Sequence, residues 1–418
     1  MKINNYIRVL ILFQIYCFTI TLTVQGEFAA PFLITDPSAN LNGMAGAFTG
    51  LPVDDVYGAY FNPAQLGNLG RNNSIAVGFY PIKTRWLPKI NISDLTYHAS
   101  AFAIGYEFST SIPISIGLGY IYSKMDWGEN VWTDASGNEL GKFHSYESCD
   151  AFSFGMRLDY LLEFNLGLTI KDINLNLFPA YFKVGGNNED AKTDVLALSY
   201  GILINVPFVN ILNEFYRTLN ENKFTPFFDV SLGYSIHNIG SELNYRLHGE
   251  NEPMPRQARL GYGISIGLIQ KYHGYNINVI KFEYSNEARD FLINREAGKI
   301  EYQDLMGDID FFDNVIAGKS SENVDIFHGW RLRIVDTFQY SIGRIESNGY
   351  FEFKESTGIL VSSKGLLIWL SGNIEDNTLK YIADHFIFEY AWSKYNSDNE
   401  YYDNTEYKGI QLKLFGFY

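Results

Sequence analysis

Little in this chain can cross-link, coordinate or attack. Of its 418 residues two are cysteines, Cys17 and Cys149. Cys17 lies in a leader-like start, and the one thiol left after it cannot close an internal disulfide. The seven histidines include no short-spaced pair of the H-x-x-x-H kind that holds a metal. No G-x-S-x-G elbow is present, and Gly43, Gly46 and Gly50 lack the Lys-Ser/Thr that completes a phosphate loop. Asp398, Glu400, Asp403 and Glu406 lack the glycine turn of a calcium loop and read as a solvated acidic connection. The expectation is a protein that is not an enzyme and carries no cofactor or metal. Basic charge is also short, 32 Lys and Arg against 47 Asp and Glu for a net charge of -15, which excludes nucleic acid as a partner. Beyond residue 26 no run reaches the roughly 18 to 20 apolar residues of a membrane helix.

The first 26 residues read as a secretory signal peptide. Lys2 and Arg8 precede an apolar stretch, Val9 to Val24, and Gly26 is the small residue before a cleavage point at Glu27.

What the chain has in quantity is aromatic residues, 30 Tyr and 32 Phe, with a mean hydropathy near zero at -0.10. Two-faced strands produce that combination. Residues 114–122 place Ile114, Ile116, Leu118 and Tyr120 opposite Ser115, Gly117 and Gly119; residues 152–160 and 260–268 repeat the pattern. Similar stretches fall at 102–108, 196–206, 228–236, 366–370, 386–392 and 410–418, with less regular ones near 74–80, 168–182, 275–284 and 330–342. A soluble sandwich also alternates, but its polar face meets water and carries few glycines. Here the large face is apolar and aromatic, and the small face is Gly, Ser and Asn. That is the pattern of a transmembrane antiparallel β-barrel, apolar to lipid and small or polar to the lumen. A phase slip at Val279-Ile280 predicts a bulge. Residues 207–222 carry helical spacing and predict a short amphipathic helix. Long acidic connections at 124–149, 184–194, 241–256, 286–328 and 393–407 suit the extracellular side. The chain ends inside an alternating strand, 409–418, on an aromatic.

One stretch fits none of this. Residues 43–66, GMAGAFTGLPVDDVYGAYFNPAQL, are too apolar for a solvated loop and too irregular for a strand. Gly43, Met44, Gly46, Asp54, Asp55, Asn62, Pro63 and Ala64 resemble the N-terminal signature of the PorV/PorQ family, a branch of the FadL-like outer-membrane barrels, with Ala45 where that family has a second glycine. Tyr234–Gly240, Pro253–Arg256 and Leu260-Gly261 resemble a later strand, turn and re-entry of the same family. The closing strand, with Leu412, Leu414, Phe417 and Tyr418, resembles the C-terminal signal by which such barrels are recognised for insertion.

The resemblance implies an all-β barrel of about 14 strands whose N-terminal segment folds into the lumen as a hatch. On this reading residues 1–26 are the signal peptide, 27–72 the hatch and 73–418 the barrel of an outer-membrane protein. Its partners would be outer-membrane lipid, the barrel-assembly machinery, and secreted cargo or other subunits of a type IX secretion system. The alternative is a FadL-like channel for hydrophobic small molecules. A packed plug around residues 29–66 favours the first and a continuous apolar tunnel the second.

Overall fold

The computed structural model describes residues 28–418 except 72, 91–93, 109–111, 135, 185–186, 217–223, 245–250, 297–298, 348–350, 352 and 417–418. Residues 1–27, and with them the signal peptide, lie outside the described residues, as do Phe417 and Tyr418.

Alternation along the sequence becomes fourteen strands closed into one antiparallel barrel. They are β1 (Ser74–Phe79), β2 (Thr96–Phe108), β3 (Ile114–Thr133), β4 (Glu139–Asp159) and β5 (Glu163–Val184). Next come β6 (Asn187–Pro207), β7 (Phe224–Gly240), β8 (Gln257–Tyr272), β9 (Tyr275–Phe291) and β10 (Val324–Ile334). The circuit ends with β11 (Phe338–Glu346), β12 (Phe353–Ser362), β13 (Phe386–Ser397) and β14 (Thr405–Phe415). Each pairs with its neighbour in sequence, and β1 closes the ring by pairing with β14 from Ser74↔Phe415 to Phe79↔Ile410. Closure satisfies every edge, which lipid demands. No helix among the described residues is long and apolar enough to cross a membrane; the crossing is made by strands. This architecture makes the chain an outer-membrane protein.

The large face does look outward: Phe102, Leu118, Phe152, Leu168, Ile202 and Leu232 are all exposed. The even strand number puts both ends of the barrel at one rim. That rim also carries the tight turns 273–274 and 335–337, so it is the inner one, and the rim with the longer connections faces outward. β3 and β4, at 20 and 21 residues, span roughly 65 to 70 Å of chain against an apolar band of about 25 Å. They therefore rise well above the membrane.

Several expected connections are strand instead. Residues 124–133 and 139–149 pair with one another as the upper ends of β3 and β4, and 187–194 belong to β6. Their polarity reflects water on both faces above the membrane rather than an absence of ladder. Within 241–256 a minimal hairpin, Leu243–Asn244 with Asn251–Glu252, leads into β8. The bulge at Val279 is present: Leu268 pairs with Ile280 and Ile269 with Asn278, leaving Val279 over. The amphipathic helix is Phe208–Tyr216, at the inner rim. Residues 366–370, expected as a strand, lie instead in the helix Lys364–Asn373, which is followed by a second helix, Asn377–His385, capped by the Asp376 carboxylate on Leu379 N. Four or five apolar residues in a row carry no period, and a helix buries them as readily as a strand.

The connection between β9 and β10 lies on the outside of the wall. Asn286 and Asp290, polar residues on the lipid-facing side of β9, are covered by it. Asn286 Nδ2 donates to the Val315 carbonyl at 2.7 Å, and Asp308 N donates to Asp290 Oδ2 at 2.5 Å. Beneath it Ala258, Ala288, Val324 and Ile326 are fully buried although they face outward. Its helical turn Phe311–Ile316, with Asp310 capping the N-terminus, leaves Phe312 74% exposed.

Candidate functional site

Residues 28–70 enter the barrel at the outer rim and descend through its lumen as short 3-10 and α turns: Pro31–Ile34, Leu41–Met44, Gly58–Phe61, Pro63–Gln65 and Leu66–Gly70. Residues 35–51 are all buried. Such a segment brings polar backbone into a closed space, and each group needs a partner.

The wall's small face makes room for it. Gly105, Gly117, Gly155, Gly167 and Gly201 are successive cross-strand neighbours on β2 to β6. A Cβ at Gly155 would come 2.7 Å from the Leu66 Cβ, and one at Gly167 would overlap the Pro63 carbonyl. Opposite them, a Cβ at Gly358 would come 2.7 Å from Gly43 Cα, and Gly329 and Gly343 lie against Met44. Backbone thus meets backbone around most of the ring, at a separation only glycine permits.

The residues singled out in the sequence all fall in this contact zone except the C-terminal ones. Gly43 and Met44 sit against β10 to β12, and Gly46 adopts φ +73 beside Asp36. Asn62 is the central clasp. Its Oδ1 accepts from Ala64 N at 3.0 Å, and its Nδ2 donates to the carbonyls of Thr49 (2.9 Å) and Ile202 (3.0 Å), joining two turns of the segment to β6. Pro63 and Ala64 press on Gly167. The two aspartates separate. Asp55 is buried and accepts from Asn40 Nδ2 (3.0 Å), Gln411 Nε2 (2.6 Å) and Tyr57 N (3.0 Å). Its carboxyl is pushed up by burial, against those hydrogen bonds. Asp54, 65% exposed, pairs with Lys413 of β14 at 3.3 Å. Leu412 and Leu414 lie on β14, paired with Phe388 and Phe386 of β13.

Sequence reasoning missed Gln65, whose amide donates to the Phe48 and Leu51 carbonyls (2.8 and 2.9 Å) and accepts from Val53 N (2.9 Å). It also missed a charged floor beneath the outer mouth. Arg289 on β9 donates to Glu287 (2.7 Å) and to the Gly46 carbonyl (2.7 Å), stacks 3.7 Å from the Phe327 ring, and stands 3.9 Å from Asp36 Oδ1. Burial pushes the Asp36 carboxyl up to about 6 against the pull of Arg289 and Arg259.

Above that floor the lumen changes character. A cavity of about 180 Å³ is enclosed by Trp86, Trp127, Phe327, Phe353, Tyr395 and Tyr407, with Phe32, Thr35 and Asp36 beneath. Phe353 stacks on Tyr395 at 4.6 Å, and Trp86 meets Phe353 edge-on at 5.9 Å. These rings come from connections and strand ends far apart in the chain, and only their position at the outer rim links them in sequence. A separate small cavity lies lower, between Leu33, Tyr60, Cys149 and Lys171. The geometry therefore supplies a packed plug over residues 35–51 and an apolar pocket above it.

No family model matches the chain, and no curated protein does. Solved structures do. The Pseudomonas putida toluene transporter TodX is 8% identical at a TM-score of 0.41, covering 90% of this chain and 96% of its own. The monoaromatic hydrocarbon channel CymD is 9% identical at 0.39, covering 90% and 96%. A Pseudomonas aeruginosa FadL homologue is 9% identical at 0.36, covering 91% and 98%. At these scores they carry no argument about what this chain binds, and membership of the PorV/PorQ family is not shown.

Proposed function

We propose that this barrel captures apolar small molecules at the cell surface and admits them past a movable luminal hatch formed by residues 27–72. The aromatic cavity seated on that segment carries the reading. Its lining is mostly aromatic and aliphatic, it lies at the outer end of the lumen, and a few polar groups, Thr35 and Asp36 among them, sit in its wall, the composition of a small-ligand site. Titration of the purified protein with ethylbenzene tests it. Saturable quenching of Trp86 and Trp127 is expected, weakened about tenfold or more in Trp127→Ala. Partition indistinguishable from that of empty micelles contradicts the reading.

A second reading has its own support. The packing of residues 35–51 favours a barrel that binds proteins over one that conducts, in line with the resemblance to PorV/PorQ proteins and a place in type IX secretion. Pull-down from native outer membranes separates the two: co-purification of secreted proteins sharing a C-terminal domain, or of secretion subunits, supports the second and displaces the first. Under either reading the strand carrying Leu412 and Leu414 serves the barrel-assembly machinery, and the exposed band meets outer-membrane lipid.

A further inference from the structure

The connection between β9 and β10 turns apolar side chains away from the barrel. Leu305, Phe311, Phe312 and Ile316 are 58%, 39%, 74% and 52% exposed. The other side of the same helical turn is fixed to the wall. Asn314 and Val315 are buried, their carbonyls accept from Asn286 Nδ2 at 3.3 and 2.7 Å, and Asn314 Oδ1 accepts from Asp310 N at 2.7 Å. The ladder sets the height of this face. Asn286 stands roughly 35 Å along β9 from Tyr275 at the inner rim, about 25 to 30 Å above it at the tilt of a barrel strand, which is the top of the apolar band. Rings mark the same level. Tyr262 pairs with Asn286 and Tyr284 with Trp330, and these three rings, with Tyr234, are half-buried on the outward side. Such an aromatic row sits at a membrane–water boundary. The Tyr234 hydroxyl donates to the Leu305 carbonyl, which ties the connection to that row.

We infer that the outward face of residues 305–316 docks into the outer leaflet, its side chains inserted where headgroups meet acyl chains. The barrel then grips lipid with a flap as well as with its wall. Lipid is the occupant because the face continues a surface that lipid already covers. The exposed band rises past Phe282, 39% exposed, to the ring row, and the flap begins where that row ends. An apolar patch contiguous with such a band is buried by the same solvent. The charges suit that level and none deeper. Asp313 pairs with Lys319 at 3.6 Å, and the Asp310 carboxylate caps Phe312 N and Asp313 N at 2.8 and 2.7 Å. These groups stay among headgroups while the Phe311 and Phe312 rings, packed edge-on at 5.4 Å, reach past them. The inference is independent of what the lumen binds.

Nitroxide labels on the full-length protein in phosphatidylcholine vesicles test this, in a Cys149→Ser background. Phe312→Cys and Ile316→Cys, one turn apart, carry the test labels. Ser136→Cys, exposed at the tip of the β3–β4 hairpin, is the reference for water. Phe152→Cys, 58% exposed on β4, is the reference for lipid. Each label is read by power saturation with oxygen, which concentrates in lipid, and with a nickel chelate, which stays in water. The oxygen-to-chelate ratio at both test positions is expected to be at least threefold that at Ser136, approaching that at Phe152. A smaller ratio at either position overturns the inference, because the face then stands in water. Both test side chains are exposed, and their replacement leaves Asn314 and Val315 on the wall, so folding does not decide the result.

Discussion

The lower and upper halves of the lumen are built from the same strands and filled in opposite ways. Below, glycine after glycine lets residues 43–70 lie backbone against the wall, and side-chain amides from Asn62 and Gln65 take up the irregular carbonyls. Above, Trp, Phe and Tyr rings pack stacked and edge-on against one another around a cavity of about 180 Å³. A barrel of this girth has more lumen than side chains alone fill, so something must occupy it. Small wall residues admit a second chain and close the space, whereas large planar ones brace against each other and hold it open. Seal and receptacle thus follow from residue size on one face of each strand.

Adding bulk below should break that contrast most strongly. Gly167→Val would drive Cβ into the Pro63 carbonyl, where neither backbone can yield. A cost of about 3 kcal/mol or more is expected. The luminal segment then comes away from the wall, seen as new conductance in planar bilayers or as protease cleavage within residues 35–51. The outer cavity's rings do not touch this glycine, so wild-type protease resistance in this variant would contradict the packing account.

Charge at the boundary sharpens the comparison. Asp36 titrates at about 6 when folded against 3.8 as the ordinary value, because burial disfavours its charge. Between those values the folded state holds more protons than the unfolded one, so its favourable contribution is complete below about pH 4 and is lost as pH rises through 6. Two units correspond to about 3 kcal/mol. Asp55 is shifted in the same direction and adds to the trend. Protection factors of residues 35–51, the exchange rates divided into the intrinsic base-catalysed rates at each pH, should therefore be larger at pH 4 than at pH 7, with Asp36→Asn removing a large part of the difference. Smaller protection factors at pH 4 would reverse the sign and the argument.

The smallest effect concerns Ala45, which adopts φ +55 where the resembling family carries glycine. Left-handed backbone costs an alanine about 1 kcal/mol or more, partly offset by the greater freedom glycine loses on folding. Ala45→Gly should raise stability by roughly 0.5 kcal/mol, seen as a small upward shift of the urea midpoint. A downward shift would mean the Ala45 methyl packs more favourably than its backbone is strained.

Much of this architecture was legible because period two survives in the sequence wherever one face meets lipid. Phe102, Leu118, Phe152 and Leu168 declared their strands, and the small residues opposite declared a lumen. The bulge at Val279 showed as a slip of phase. Residues 366–370 misled because an unbroken apolar run has no phase to read. The cover that 303–323 forms over Asn286 and Asp290 left no local mark, since it is a tertiary contact between polar atoms far apart in sequence. In the luminal site Asn62 was readable as a turn residue that bonds its own backbone. Its reach to Ile202, and the placing of Asp36 beside Arg289, depend on closure of the barrel.

Whether the luminal segment moves is the question on which uptake turns, and a reversible tether answers it. A Cβ at Gly409 would lie 3.1 Å from the Ala39 Cβ, near the roughly 3.8 Å of a disulfide. In an Ala39→Cys/Gly409→Cys protein with Cys149→Ser, uptake of ethylbenzene by whole cells carrying the protein, against cells lacking it, is measured oxidised and then reduced. Loss of uptake on oxidation and its return with reductant is the predicted result. Equal uptake in both states would contradict a moving hatch and leave the segment as filling alone.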